Sequence, residues 1–123
     1  MKDFCFDTRL DGHLLLELYD DDSEHALMAF NDFLKMSPGL MGELDEQFSK
    51  GSIEIFRQKM HKLKPIFSYV GLPGMSQQAE VIEKKCKEVA GIDELKLLYV
   101  DLKKNFDETY VIVKQEANRL SAM

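Results

Sequence analysis

The feature that most constrains this chain is the spacing of its apolar residues, which recur every three or four positions over most of its length. That spacing lays a stripe along one face of a helix and does not suit the two-residue repeat of a strand. Only three prolines and seven glycines interrupt it, and β-branched runs are missing. Leu27, Phe30, Leu34, Met41, Leu44 and Phe48 form one series, with Ser37 in its gap. Asp21 with Glu24 offers a capping-box-like start and Gly51 a stop, while Pro38 predicts a bend within one helix of about seven turns. A second series, Ile53, Phe56, Met60, Leu63, Phe67 and Val70, starts behind Ser52 and stops at Gly71. The third is Leu72, Met75, Ala79, Ile82, Cys86 and Val89, with Pro73 in its first turn and Gly91 at its end. The fourth, opened by Asp93, is Leu95, Tyr99, Leu102, Phe106, Thr109, Val113 and Leu120. A shorter amphipathic piece, Asp11 to Tyr19, precedes them all.

Four such helices joined by short loops cannot bury their stripes singly. The expected fold is therefore all-α: an antiparallel up-down-up-down four-helix bundle capped at one end by the short N-terminal helix. Residues 1–123 read as one domain, without repeats or linkers. No stretch is long and apolar enough for a membrane span, and the N-terminus lacks the apolar run of a secretory signal. Cys5 and Cys86 form neither a disulfide framework nor a zinc pattern, so a reduced, cytoplasmic setting is expected. A net charge of −6 argues against nucleic acid as partner.

That charge is unevenly spread. Residues 1–54 carry four basic and 13 acidic side chains, whereas residues 55–79 hold Arg57, Lys59, Lys62 and Lys64 and no acid. Taken alone, such an island reads most simply as a solvated helix face. It also contains one of three histidines, His61. His13 and His25 lie in acidic surroundings and read as surface residues. The chain has no Glu-x-x-His, no phosphate loop and no metalloprotease or hydrolase motif, so no metal, cofactor or catalytic base is expected. Met41, Met60, Met75 and Cys86 fall on apolar stripes and read as packing. At about 100° per residue, His61 stands roughly 130° from the centre of its own stripe, facing solvent. Arg57 precedes it by one turn; Lys64, Pro65 and Ser68 follow on the same side. Cations at i−4 and i+3 repel a metal ion but suit a group that itself becomes anionic.

Residues 60–83, MHKLKPIFSYVGLPGMSQQAEVIE, resemble the signature of histidine-containing phosphotransfer (HPt) domains. In that family a histidine is followed by x-Leu-Lys-Gly, by a second glycine ten residues on, and later by an apolar-Glu pair. The matching positions are His61, Leu63, Lys64, Gly71 and Ile82–Glu83. The resemblance spans about residues 10–120, since the family fold is a short helix plus a four-helix bundle. It implies that His61 accepts a phosphoryl group on Nε2 and exchanges it with an aspartate of a response-regulator receiver domain. Lys64 would stabilise the added charge, and Glu83, on the next helix, would hold Nδ1–H and fix the tautomer. Lys87 would touch the phosphoryl group or the partner. Arg57, Pro65, Ser68 and Leu72 would complete a docking surface, with Leu72, and Phe67 at its edge, as its exposed apolar part.

One position departs from the family pattern: Pro65 stands where glycine usually follows the lysine. Proline is bulkier and lacks the N–H that would bond the carbonyl of His61. The resemblance implies a monomeric phosphocarrier rather than an enzyme, with Mg²⁺ and the acid pocket supplied by the receiver and a sensor histidine kinase upstream. The alternative is a helical adaptor, a degenerate relative that binds receiver or kinase domains without accepting phosphate.

Overall fold

The computed structural model describes residues 4–123. Its helices are α1 (Gly12–Tyr19), α2 (Ser23–Lys50), α3 (Ile53–Ser68), α4 (Pro73–Lys85) and α5 (Lys96–Ser121), with a 3₁₀ turn, Ile92–Leu95, before α5. No strand occurs among the described residues. None of their helices is long and apolar enough to cross a membrane. α3 packs against α2 and α4, α5 packs against the same two helices, and α1 rests on α2. The stripes meet in one core in which Phe30, Phe33, Phe56, Phe67, Met60 and Leu102 are fully or almost fully buried.

Local chemistry sets where the helices begin and end. The Asp11 carboxylate caps α1 by accepting from the amide of Leu14 at 3.0 Å. Asp22, rather than the expected Asp21, caps α2 through the amide of His25 at 2.9 Å. The chain leaves α1 through Asp20 with φ at 51°, and the cap falls one residue later than the expected start. α2 runs through Pro38 without interruption. The Leu34 carbonyl, which proline cannot serve, accepts from the Tyr110 hydroxyl at 3.0 Å.

The stripes are not all in the expected phase. On α2 the buried residues are Ala26, Phe30, Phe33, Ser37, Met41 and Leu44, while Leu27, Leu34 and Phe48 are only half-buried. The helix contacts α3 and α5 at once, so its buried line falls between the two contact faces. α4 stops at Lys85 instead of reaching Val89, and a turn follows in which the Val89 amide bonds the Lys85 carbonyl at 3.1 Å. The capping role expected of Asp93 falls to Glu94, whose carboxylate accepts from the amides of Ala90 and Gly91 at 2.8 and 3.1 Å. On α5, Thr109 is half-buried and donates back to the Asn105 carbonyl at 2.8 Å.

A buried carboxylate ties the N-terminal arm to α5. Glu116, 2% exposed, is paired with Arg119 and accepts from the amide of Asp7 at 2.9 Å. Arg119 also donates to the Cys5 carbonyl at 3.0 Å and lies 4.5 Å from the centre of the Phe4 ring. Phe6 then stacks on Phe30 of the core.

The turn from α3 into α4 decides what faces His61. Gly71 takes φ of 77°, its amide bonds the Ser68 carbonyl at 3.1 Å, and the Leu72 amide bonds the Phe67 carbonyl at 2.9 Å. This is the Schellman arrangement, in which the residue after the glycine packs back on the helix it has left. Leu72 accordingly is 5% exposed and Phe67 fully buried, so neither can be the exposed apolar residue expected at the docking surface. A Cβ on Gly71 would stand 2.9 Å from Leu15 Cδ1 and 3.2 Å from the amide of Asp11, which donates to the Gly71 carbonyl at 2.8 Å.

Gly51 also has positive φ, at 70°, but open space around its missing Cβ. Gly71→Ala therefore should cost about 2–3 kcal/mol in urea unfolding and Gly51→Ala only about 1 kcal/mol. Equal losses would mean that contact with Leu15 contributes nothing.

Candidate functional site

His61 sits in the middle of α3 with its side chain 65% exposed, as its angular position relative to the stripe predicts. The Schellman turn returns the chain as α4, which packs on α3 and carries Glu83 back to His61. Glu83 Oε1 lies 2.6 Å from His61 Nδ1, and its Oε2 accepts from Lys64 Nζ at 3.1 Å. One carboxylate thus holds an imidazole and an ammonium that are neighbours on the same helix face. An ionised carboxylate only accepts hydrogen bonds, so Nδ1 carries the proton. In the neutral ring Nε2 is then the nitrogen with a free lone pair. It has no partner among the described residues.

The electrostatics agree with that assignment. Burial pushes the Glu83 carboxyl up, but hydrogen bonds from Lys64 and His61, reinforced by their charges, hold it below the ordinary carboxylate range. Glu83 stays ionised at neutral pH and can stabilise positive charge on the ring. On its other side a cleft of about 400 Å³ lies along the α3–α4 seam, lined by Lys64, Lys84 and Lys87 and by Glu80, Glu83 and Glu88.

The remaining expected site residues divide. Pro65 is exposed and Ser68 half-buried on α3, and Lys87 is exposed in the turn after α4. Arg57 is engaged by Glu54 one turn earlier, at 3.2 Å from its Nε, which holds the guanidinium back along α3. Lys59 faces Glu43 of α2 at 3.6 Å. Three of the four cations of the island thus have acidic partners, two of them from other helices, and the island is far less positive than its sequence. Cys86 is buried, and burial pushes its thiol up to about 11. His13 pairs with Glu17 on the surface, and His25 meets the edge of the Tyr19 ring.

One contributor has no signal in the sequence. The Ser76 hydroxyl on α4 donates to the Lys64 carbonyl at 2.9 Å, joining the two helices at the turn that carries His61. Among the described residues no group of His, Cys, Asp and Glu is arranged to hold a metal ion. In comparisons with known proteins, no family model, curated protein or solved structure matches this chain.

The Glu83 contacts predict a pH signature. Because its folded pKa lies below the ordinary value of 4.5, its stabilising contribution is present above that value and is lost as pH falls through the folded one. Glu83→Gln should cost about 1 kcal/mol at pH 7, and the difference from wild type in urea unfolding should shrink as pH falls from 4.5 and vanish below the folded value. A difference that persisted unchanged in acid would remove the ionised carboxylate from the account.

Proposed function

We propose that this protein is a phosphocarrier that accepts a phosphoryl group on Nε2 of His61 and exchanges it with an aspartate of a receiver domain. The observation that carries the reading is the Glu83 bridge, which orients the ring through Nδ1 and leaves Nε2 open to solvent. It joins the sequence resemblance to HPt domains, which rests on His61, Leu63, Lys64, Gly71 and Ile82–Glu83. The finer topology belongs to the same proposal: α2, α3, α4 and α5 as an antiparallel up-down-up-down bundle with α1 as its cap, in one domain. The short connections and the pairing of α3 and α5 with both α2 and α4 support it.

In the proposed step the Nε2 lone pair attacks phosphorus, the bond from phosphorus to the receiver's aspartyl oxygen breaks, and its electron pair leaves with the carboxylate. No proton need move at Nε2. Both ring nitrogens are then substituted, so the ring becomes cationic, and Glu83 stands against that charge. Lys64, already beside the ring, can turn from Glu83 to the phosphoryl oxygens. Transfer of this kind rests mainly on positioning and electrostatics. Magnesium and the acid pocket would come from the receiver. The protein would work in the cytoplasm as a monomer between a sensor histidine kinase and its regulator.

Pro65 favours a second reading, an adaptor that binds receiver or kinase domains without transfer, because an exposed ring stands one turn from His61 where a partner must approach. Labelling separates the two. Incubated with phosphorylated receivers, the wild type should gain an acid-labile, base-stable phosphoramidate. His61→Gln should gain none and keep its stability within about 0.5 kcal/mol. His13→Gln and His25→Gln should label fully. Labelling that survives His61→Gln would sink the assignment, and a wild type that binds receivers but stays unlabelled would make it the adaptor.

Lys64→Ala tests the role of the ammonium. Its loss should slow phosphorylation about 5- to 150-fold, with binding of the unphosphorylated protein to a receiver less affected. Equal effects on both would make Lys64 a docking charge only.

A further inference from the structure

The peptide group between Lys64 and Pro65 belongs to the turn of α3 that carries His61 and Lys64. Because its nitrogen bears the proline ring in place of a hydrogen, it cannot bond the His61 carbonyl, and the ring crowds that same carbonyl. The turn from His61 to Pro65 therefore lacks the hydrogen bond that would close it. With the His61 side chain 65% exposed, water can serve the carbonyl and the loss costs little energy. What is lost is a restraint, at the turn where the imidazole must keep its angle.

The oxygen of the same peptide group is held from outside. It is the Lys64 carbonyl, and it accepts from the Ser76 hydroxyl of α4 at 2.9 Å. A carbonyl has two lone pairs, so it can take the hydroxyl without giving up its place in the helix ladder. A serine near a helix start commonly turns its hydroxyl to its own main chain, whereas half-buried Ser76 gives it to the neighbouring helix. Glu83 stands seven residues further along α4, on the same face as Ser76. Its Oε2 accepts from Lys64 Nζ at 3.1 Å and its Oε1 lies 2.6 Å from His61 Nδ1. One face of α4 thus holds the weakened turn by its main chain and by both of its functional side chains. We propose that Ser76 is a positioning residue that stands in for the amide missing at Pro65: its hydroxyl holds the Lys64–Pro65 peptide against α4 and so keeps His61 Nδ1 on Glu83. Ser76 matters because residue 65 is proline; with an amide there, the helix would close the turn by itself. The consequence for phosphoryl transfer rests on the phosphocarrier reading, and the hold on the ring does not.

The test is a double-mutant cycle on the full chain, with Ser76→Ala and Pro65→Ala alone and combined. The first readout needs no phosphate: nitrogen-15 shifts of His61 report which ring nitrogen carries the proton in the neutral ring. An unrestrained imidazole favours the proton on Nε2, so a proton on Nδ1 reports the contact with Glu83. Wild type should hold it on Nδ1, and Ser76→Ala should give a mixture of tautomers. Ser76→Ala combined with Pro65→Ala, which restores the amide, should return the proton to Nδ1. The second readout is phosphorylation by a phosphorylated receiver, compared within each background because Pro65→Ala also alters the surface that the receiver meets. Ser76→Ala should slow it about 3- to 10-fold beside Pro65 and less than about twofold in the Pro65→Ala background. Circular dichroism should show the same helix content in every variant. An Nδ1 proton and a rate both indifferent to Ser76→Ala would overturn the proposal. So would equal losses in the two backgrounds, which would make the bond an ordinary link between helices, or a tautomer change that comes only with a general loss of helix. A wild type that takes no phosphate would end the phosphocarrier reading, and the tautomer cycle would still decide the role of Ser76.

Discussion

The left-handed turn at Gly71 is the constraint on which the site depends. It ends α3, sends α4 back along it, and is held from outside by the Asp11 amide on the Gly71 carbonyl and by Leu15 against the bare Cα. Residues that are 22 apart in sequence, His61 and Glu83, meet only because this turn has one geometry. A β-carbon at residue 71 has two objections to meet at once, positive φ and the Leu15 side chain. The same turn buries Leu72 and Phe67, so the rigidity that aligns the site also removes two apolar side chains from its surface.

Glu83 balances opposing effects. Desolvation works against its charge, and two hydrogen bonds from cationic or polarisable donors outweigh it. A phosphoryl group on Nε2 would bring about −1.5 to −2 charges beside that carboxylate. The repulsion is relieved if Lys64 leaves Glu83 for the phosphate while the cationic ring stays on Glu83. The arrangement is therefore more than a charge patch. Arg57 and Lys59 are engaged by Glu54 and Glu43, whereas Lys64 shares its partner, Glu83, with the imidazole.

Much of this was legible in the sequence, and the misses have causes. Period and punctuation place the helices because propensity, stripes and glycine stops agree over α2, α3 and α5. The phase of His61 on α3 follows from counting residues, and Glu83 from the apolar-Glu pair of the HPt resemblance. The phase of α2 is set by two neighbours rather than one, which a stripe cannot reveal, and Phe33 and Ala26 replace Leu34 and Leu27 in the core. Leu72 reads as the first residue of a stripe but is the packing residue of a Schellman turn. The expected positive island counted cations in one segment, while the acids that answer Lys59 and Lys64 come from α2 and α4. Glu116 falls in the gap of the α5 stripe between Val113 and Leu120, and its contact with the Asp7 amide, 109 residues away, is one that a stripe cannot reveal.

The two prolines inside helices show how environment decides what a lost hydrogen bond means. Pro38 deprives the Leu34 carbonyl of an amide in a half-buried position, and the Tyr110 hydroxyl replaces it. Pro65 deprives the His61 carbonyl in the same way, at a residue whose side chain is 65% exposed. An unmet carbonyl there is open to water and costs little, whereas in the core it would cost about 1–3 kcal/mol. The Ser76 hydroxyl on the neighbouring Lys64 carbonyl then anchors the following peptide to α4. Proline at this position leaves the His61–Glu83 geometry in place, and under the proposed function its effect would fall on the partner, which would meet a rigid ring beside the imidazole.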